Sequence, residues 1–173
     1  MPSSTNRHFL RVSIETTLIP MLENSGFERV PLAGEDLASR DIRSGFPFGR
    51  LRRYIPDGAD LADIQIDKRY CAFRVNFGRV PETGVDHPIS GHIDFLDVWA
   101  HYLPVSYELC ANALFRRWFS AETWFGKPIT QERIHRIVHF AALALPEMEM
   151  ALAGRRLGPH VRRVRFYWLD RMR

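Results

Sequence analysis

The chain has 173 residues, 46% of them hydrophobic and 25% charged, with a formal net charge of +4. This is the composition of an ordinary globule, long enough to remove roughly 70% of the unfolded surface from water. No apolar run approaches the roughly 20 residues that cross a bilayer, and no secretion signal is readable at the N-terminus. A membrane partner is therefore set aside, and a cytoplasmic location is expected.

In chain order, Ser3-Ser4-Thr5 offers capping oxygens to a first helix carrying Phe9, Leu10, Val12, Ile14, Leu18 and Ile19. Pro20 lacks an amide proton, so a kink is expected there, or a division from a short piece, Met21–Asn24, that Gly26 stops. Phe27–Val30 is a candidate first strand. Pro31–Phe48 reads as loop with a brief helical turn around Asp36–Ser39. Gly49–Ile55 follows as a strand, and Pro56-Asp57-Gly58 turns it into the next.

The clearest pattern comes next. In Leu61–Asp67, Ile64 and Ile66 alternate with Asp63, Gln65 and Asp67; in Cys71–Val80, Cys71, Phe73, Val75 and Phe77 alternate with Arg74 and Asn76. A strand flips successive side chains, so this period of two predicts a β-hairpin with one face buried and one wet. A sheet covered on both faces by parallel connections would read as unbroken apolar runs, so an antiparallel sheet is expected.

Beyond the hairpin, Pro81–Asp94 reads as irregular, Phe95–Tyr107 fits strand or helix, and Cys110–Phe119 reads as helix. Thr130 is a predicted N-cap for a helix over Gln131–Leu145, whose Ile134, Ile137, Val138, Ala141, Ala142 and Leu145 form one apolar stripe. Pro146 opens a short helix to Ala153, ended by Gly154. Val161–Leu169 is a possible last strand. These elements predict an α+β fold: an antiparallel sheet of about four or five strands with helices packed on one face. No repeat or linker is visible, so residues 1–173 are read as a single domain.

Chemistry is less legible. Cys71 and Cys110 lack metal-type spacing and are expected to be buried, reduced thiols. Imidazoles and carboxylates gather at Asp86, His87, His92, Asp94, Asp97 and His101; His87, His92, Asp94 and His101 are the candidate metal ligands, since nitrogen and anionic oxygen donors suit a divalent cation. The spacing matches no established metal motif. His135 and His139, one helical turn apart, are a weaker pair.

The wet hairpin face supplies the candidate ligand-binding residues Gln65, Asp67, Arg74 and Asn76, with Arg52 or Tyr54 nearby, if some element partly covers them. Phe115, Trp118, Phe119, Trp124 and Phe125, interleaved with Arg116 and Arg117, read mainly as core and rim. Arg155, Arg156, Arg162, Arg163, Arg165, Arg171 and Arg173 make the C-terminal segment basic. Genome composition explains an arginine bias as readily as phosphate contacts do, so nucleic acid is an unfavoured partner. Dinucleotide, Walker, serine-elbow and redox-cysteine motifs are absent, and no cofactor is called for.

Several of these features resemble an uncharacterised bacterial family, domain of unknown function 4304. They are Pro20-Met21-Leu22 leading to Gly26-Phe27, the arginine-rich Leu51–Tyr54, and Ile64-Gln65-Ile66 with Phe73-Arg74-Val75-Asn76-Phe77-Gly78. Arg117-Trp118-Phe119 and the helix into Leu145-Pro146 complete them. Phe119 stands where a second tryptophan is expected, and Pro31–Gly49 has no counterpart. The resemblance implies this fold and a single domain, and it supplies no catalytic residues. Sequence alone therefore favours a non-catalytic ligand- or protein-binding module, with a homodimer or another protein as possible partner. The alternatives are a metal-assisted hydrolase using Asp86–His101 and a nucleic-acid binder using the C-terminal arginines.

Overall fold

The computed structural model describes residues 4–88, 90–122 and 128–165. It opens with one uninterrupted helical run: α1 (Ser4–Ser13), a π-helical stretch Ile14–Leu18, and α2 (Ile19–Asn24). The division expected at Pro20 takes the form of the π-helical stretch, after which α2 begins with Pro20 in its first turn. The helix widens just before it, with the Ile19 N–H bonded to the Ile14 carbonyl, and this absorbs the clash and the missing amide that proline brings. Leu10, Ile14, Leu18, Ile19 and Leu22 are all fully buried along this run.

After β1 (Glu28–Val30) come two short helices, α3 (Gly34–Ala38) and α4 (Arg40–Gly45), where the sequence predicts a loop with one turn. Ser39 caps α4 by accepting from the Ile42 N–H. Then follow β2 (Arg50–Ile55), β3 (Gly58–Ile66), β4 (Ala72–Pro81), β5 (Val85–His87) and β6 (Gly91–Ile93). A 3-10 turn at Ala100–Tyr102 leads to β7 (Val105–Leu109) and β8 (Phe119–Ser120). The last elements are α5 (Gln131–Leu143), α6 (Leu145–Leu152) and β9 (Val161–Arg165).

Seven strands form an antiparallel sheet in the order β1-β2-β3-β4-β7-β9, with β8 also paired to β4, and β5 and β6 form a separate ribbon. The class is the one the sequence predicts, with more strands than four or five. The extra strands are short or arginine-rich, such as Glu28-Arg29-Val30 and Val161–Arg165, and show little apolar alternation. The β5–β6 ribbon lies where an irregular connection is predicted. The helix predicted over Cys110–Phe119 is also absent. There the Asn112 side chain accepts from the Phe115 N–H, a local bond that competes with helix, and Arg116 takes a left-handed φ of 52°. Trp124, Phe125 and the 166–169 end of the predicted last strand lie outside the described residues.

The predicted hairpin pairs Ile64 with Val75 and Gln65 with Arg74. Its apolar face (Ala62, Ile64, Ile66, Phe73, Val75, Phe77) packs with Leu51, Leu109 and the buried stripes of α1, α5 and α6. Each such large side chain contributes about 1.5–3 kcal/mol by burial. Thr130 caps α5 as predicted, accepting from the Arg133 N–H. On the same face Arg53 holds Glu149 of α6 through both carboxylate oxygens, at 3.0 and 2.8 Å, and Asp60 at 2.9 Å. Both cysteines are free and buried, and burial pushes the Cys71 thiol up to about 11.

The opposite face is partly covered. Arg52 donates to the carbonyls of Phe95 at 2.8 Å and Leu96 at 3.1 Å, pinning the segment before the 3-10 turn. Leu103 sits so close over Gly78 that a Cβ there would meet it at 2.5 Å. With Ala59, Leu61, Val80, Val85, Val98 and Ala100, it forms a second small core. No helix among the described residues is long and apolar enough to cross a membrane.

Candidate functional site

Alternation on β3, β4 and β7 places Gln65, Arg74, Asn76, Ser106 and Glu108 on the partly covered face, because residues two apart in a strand share a side. The cover closes over them from three directions. Phe46 comes from the end of α4, His101 and Tyr102 from the 3-10 turn, and His87 from the ribbon; together with Val164 they enclose a cleft of about 390 Å³. That is the lower end of the usual range for small-molecule sites, about 300–1,000 Å³.

The cleft floor is a charged network. Arg74 Nε donates to Gln65 Oε1 at 2.9 Å, and Asn76 Nδ2 donates to the same oxygen at 3.2 Å. Arg74 Nη1 donates to one oxygen of Glu108, and Arg162 donates to the other through Nε, at 3.0 Å, and Nη2. The Arg74 guanidinium also lies 4.5 Å from the centre of the Trp118 ring. Burial lowers the Arg74 pKa, against the opposing pull of Glu108. An arginine nevertheless stays charged in a protein. Two guanidiniums therefore share one carboxylate, leaving an excess positive charge beneath the cleft.

The wall carries a second pair. His101 Nδ1 lies 3.3 Å from Asp63 Oδ2, which also accepts the Ala100 N–H at 2.7 Å. The His101 ring stacks on Phe46 at 4.8 Å between centroids. Asp63 is fully buried, and its Oδ1 has no hydrogen-bond partner among the described residues. Burial raises its pKa, against the pull of His101 and of the backbone amides. The sequence pattern puts Asp63 on the wet side of the hairpin; the segment pinned by Arg52 turns that part of the face into interior.

Three of the four predicted ligand-binding residues, Gln65, Arg74 and Asn76, thus line one cleft. Asp67 does not join them: it caps the hairpin turn, accepting the N–H groups of Arg69 at 2.6 Å and Tyr70 at 2.8 Å. The four predicted metal ligands are divided. His92 pairs with Asp86 at 2.9 Å and lies 3.8 Å from Asp94, all exposed on the ribbon, while His87 and His101 face the cleft. Among the described residues no group of three or more His, Cys, Asp or Glu is arranged to hold a metal ion. His135 contacts Ser13 Oγ at 3.1 Å and joins α5 to α1.

Of the basic C-terminal arginines, Arg162 pairs with the cleft residue Glu108 without itself lining the cleft, and Arg163 and Arg165 are exposed; Arg171 and Arg173 lie outside the described residues. Sequence reasoning missed Asp63, Glu108, Tyr102 and Phe46. Only Glu108 carried a usable signal, a lone acid in the alternating Val105–Leu109. Among the described residues three larger hollows lie elsewhere, two of about 710 Å³ and one of about 500 Å³. The first carries Arg117, Ser120, Glu122 and Arg133, the second is chiefly apolar, and the third, at the hairpin turn, carries Asp41, Gln65, Asp67, Lys68 and Arg69. The cleft differs from all three in joining a histidine–aspartate pair to a guanidinium floor. No family model, curated protein or solved structure matches this chain.

Proposed function

We propose that the protein binds a small, planar, anionic molecule in the cleft between the sheet and its cover. The observation that carries this reading is the excess positive charge created by Arg74 and Arg162 around the single carboxylate of Glu108. Guanidinium groups recognise carboxylates by charge and fork geometry. Gln65 and Asn76 add amide groups at the same floor, and the stacked rings of Phe46 and His101, with Tyr102 tilted 59° to His101, line the cleft with aromatic surface. The chemistry therefore favours a carboxylate attached to a ring, in a size class that the cleft volume can hold.

Thermal denaturation and calorimetry with benzoate, phenylpyruvate and neutral benzamide test the reading. At one hundred times its dissociation constant a true ligand stabilises the fold by about 2.7 kcal/mol. For a chain of this size that raises the midpoint by about 5–10 °C. The carboxylates are expected to do so, benzamide is not, and Arg74→Gln removes the effect. Equal responses from acid and amide, or unchanged binding by Arg74→Gln, refute the reading.

A further inference from the structure

We infer that the cleft is also a proton-transfer site, in which His101, positioned by Asp63, interconverts the keto and enol forms of a small 2-oxo acid. The inference rests on the anion-binding reading above and adds a reaction to it. Asp63 Oδ2 contacts Nδ1 of His101, so Nε2 is the ring nitrogen left to exchange a proton with a ligand, and His101 borders the cleft. A carboxylate in this relation to an imidazole fixes the tautomer and steadies the imidazolium that forms.

Capping alone is a poor account of Asp63. Its bond to the Ala100 N–H needs only a neutral acceptor, which asparagine supplies without the cost of burying a charge. A fully buried acid beside a half-buried imidazole is the arrangement expected of an oriented base. The positive floor at Arg74 completes the set, because proton removal next to a carbonyl builds negative charge on the ligand. That charge is stabilised by a cation already in place.

In the step itself, Nε2 of His101 takes a proton from the carbon beside the keto group. The C–H electron pair becomes the C=C bond, and the carbonyl π pair moves onto oxygen. The imidazolium then returns its proton to that oxygen, giving the enol, an isomer of the starting acid, and neutral His101. No oxidant, reductant or cofactor enters.

The test uses the full chain and phenylpyruvate in deuterium oxide. Proton NMR follows loss of the C3 hydrogens, and calorimetry measures binding of the same probe. A positioned general base contributes about 10²–10⁴-fold, so the wild-type protein is expected to exchange C3 at least about 100-fold faster than buffer. His101→Gln falls to the buffer rate even at phenylpyruvate concentrations that saturate the variant by calorimetry. Asp63→Asn lowers the turnover number about tenfold or more with little change in KM, and the imidazole nitrogen signals of His101 lose the Nδ1–H preference.

Binding that depends on Arg74 with exchange at the buffer rate overturns this inference and leaves the binding reading intact. Absence of binding overturns both. Exchange undiminished in His101→Gln, or an Asp63→Asn protein with unaltered rate and tautomer, also overturns it.

Discussion

Glu108→Gln offers the sharpest probe of the charge arrangement, because it should move stability and ligand affinity in opposite directions. The Glu108 side chain is 9% exposed and is the only carboxylate that Arg74 and Arg162 hold among the described residues. Removing one partner of a fully buried ion pair costs about 3–5 kcal/mol. Here the two arginines keep 21% and 23% of their side-chain surface in water, and glutamine still accepts a hydrogen bond, so about 2–3 kcal/mol is expected. For a chain of this length the melting midpoint falls by about 4–12 °C.

The same change removes a negative charge beside a bound anion. At a separation of roughly 6 Å and an effective dielectric of about 40, that repulsion is worth about 1.4 kcal/mol. Benzoate affinity should therefore rise about tenfold. Urea denaturation gives the first quantity and isothermal calorimetry the second. A variant that melts with the wild type and binds benzoate no more tightly would falsify the assignment of Glu108 as the counter-charge of the cleft.

Two further outcomes follow from buried titrating groups. Burial raises the Asp63 pKa, so the folded chain keeps that proton longer than the unfolded one and stability falls as pH rises through the ordinary carboxylate range toward the raised value. Asp63→Asn removes this dependence: the difference in unfolding free energy should shift in the variant's favour between pH 3 and pH 6, and a flat difference across that range contradicts the assignment. With the Cys71 thiol held up to about 11 by burial and Cys110 also raised by burial, native protein at pH 8 should resist a disulfide reagent such as dithionitrobenzoate. Denatured protein should release signal for both thiols, and rapid labelling of the native chain counts against the packing around β4 and β7.

Much of the sheet was readable without coordinates, because a two-residue period has only one physical use. Ile64, Ile66, Phe73, Val75 and Phe77 must share a side, and an antiparallel hairpin buries that side with fewest residues. The same rule placed Gln65, Arg74 and Asn76 together, and they do line one cleft. The α5 and α6 boundaries were equally legible from Thr130, Pro146 and Gly154, since caps act over three or four residues. Edge strands escaped notice, because β1 and β9 gain their pairing from neighbours and carry arginines where a core strand would be apolar.

The site itself was decided by tertiary structure. Whether a polar strand face is surface, cleft or interior depends on what crosses it, and here that is the segment held by Arg52 and seated against Gly78. The crossing turned Asp63 from an apparent surface acid into a buried partner of His101, 38 residues away. It also separated His87 and His101 from His92 and Asp94, although all four are near in sequence. Local pattern sets which way a side chain points along its own strand; only the path of distant chain above it sets the dielectric and the partners that turn that direction into chemistry.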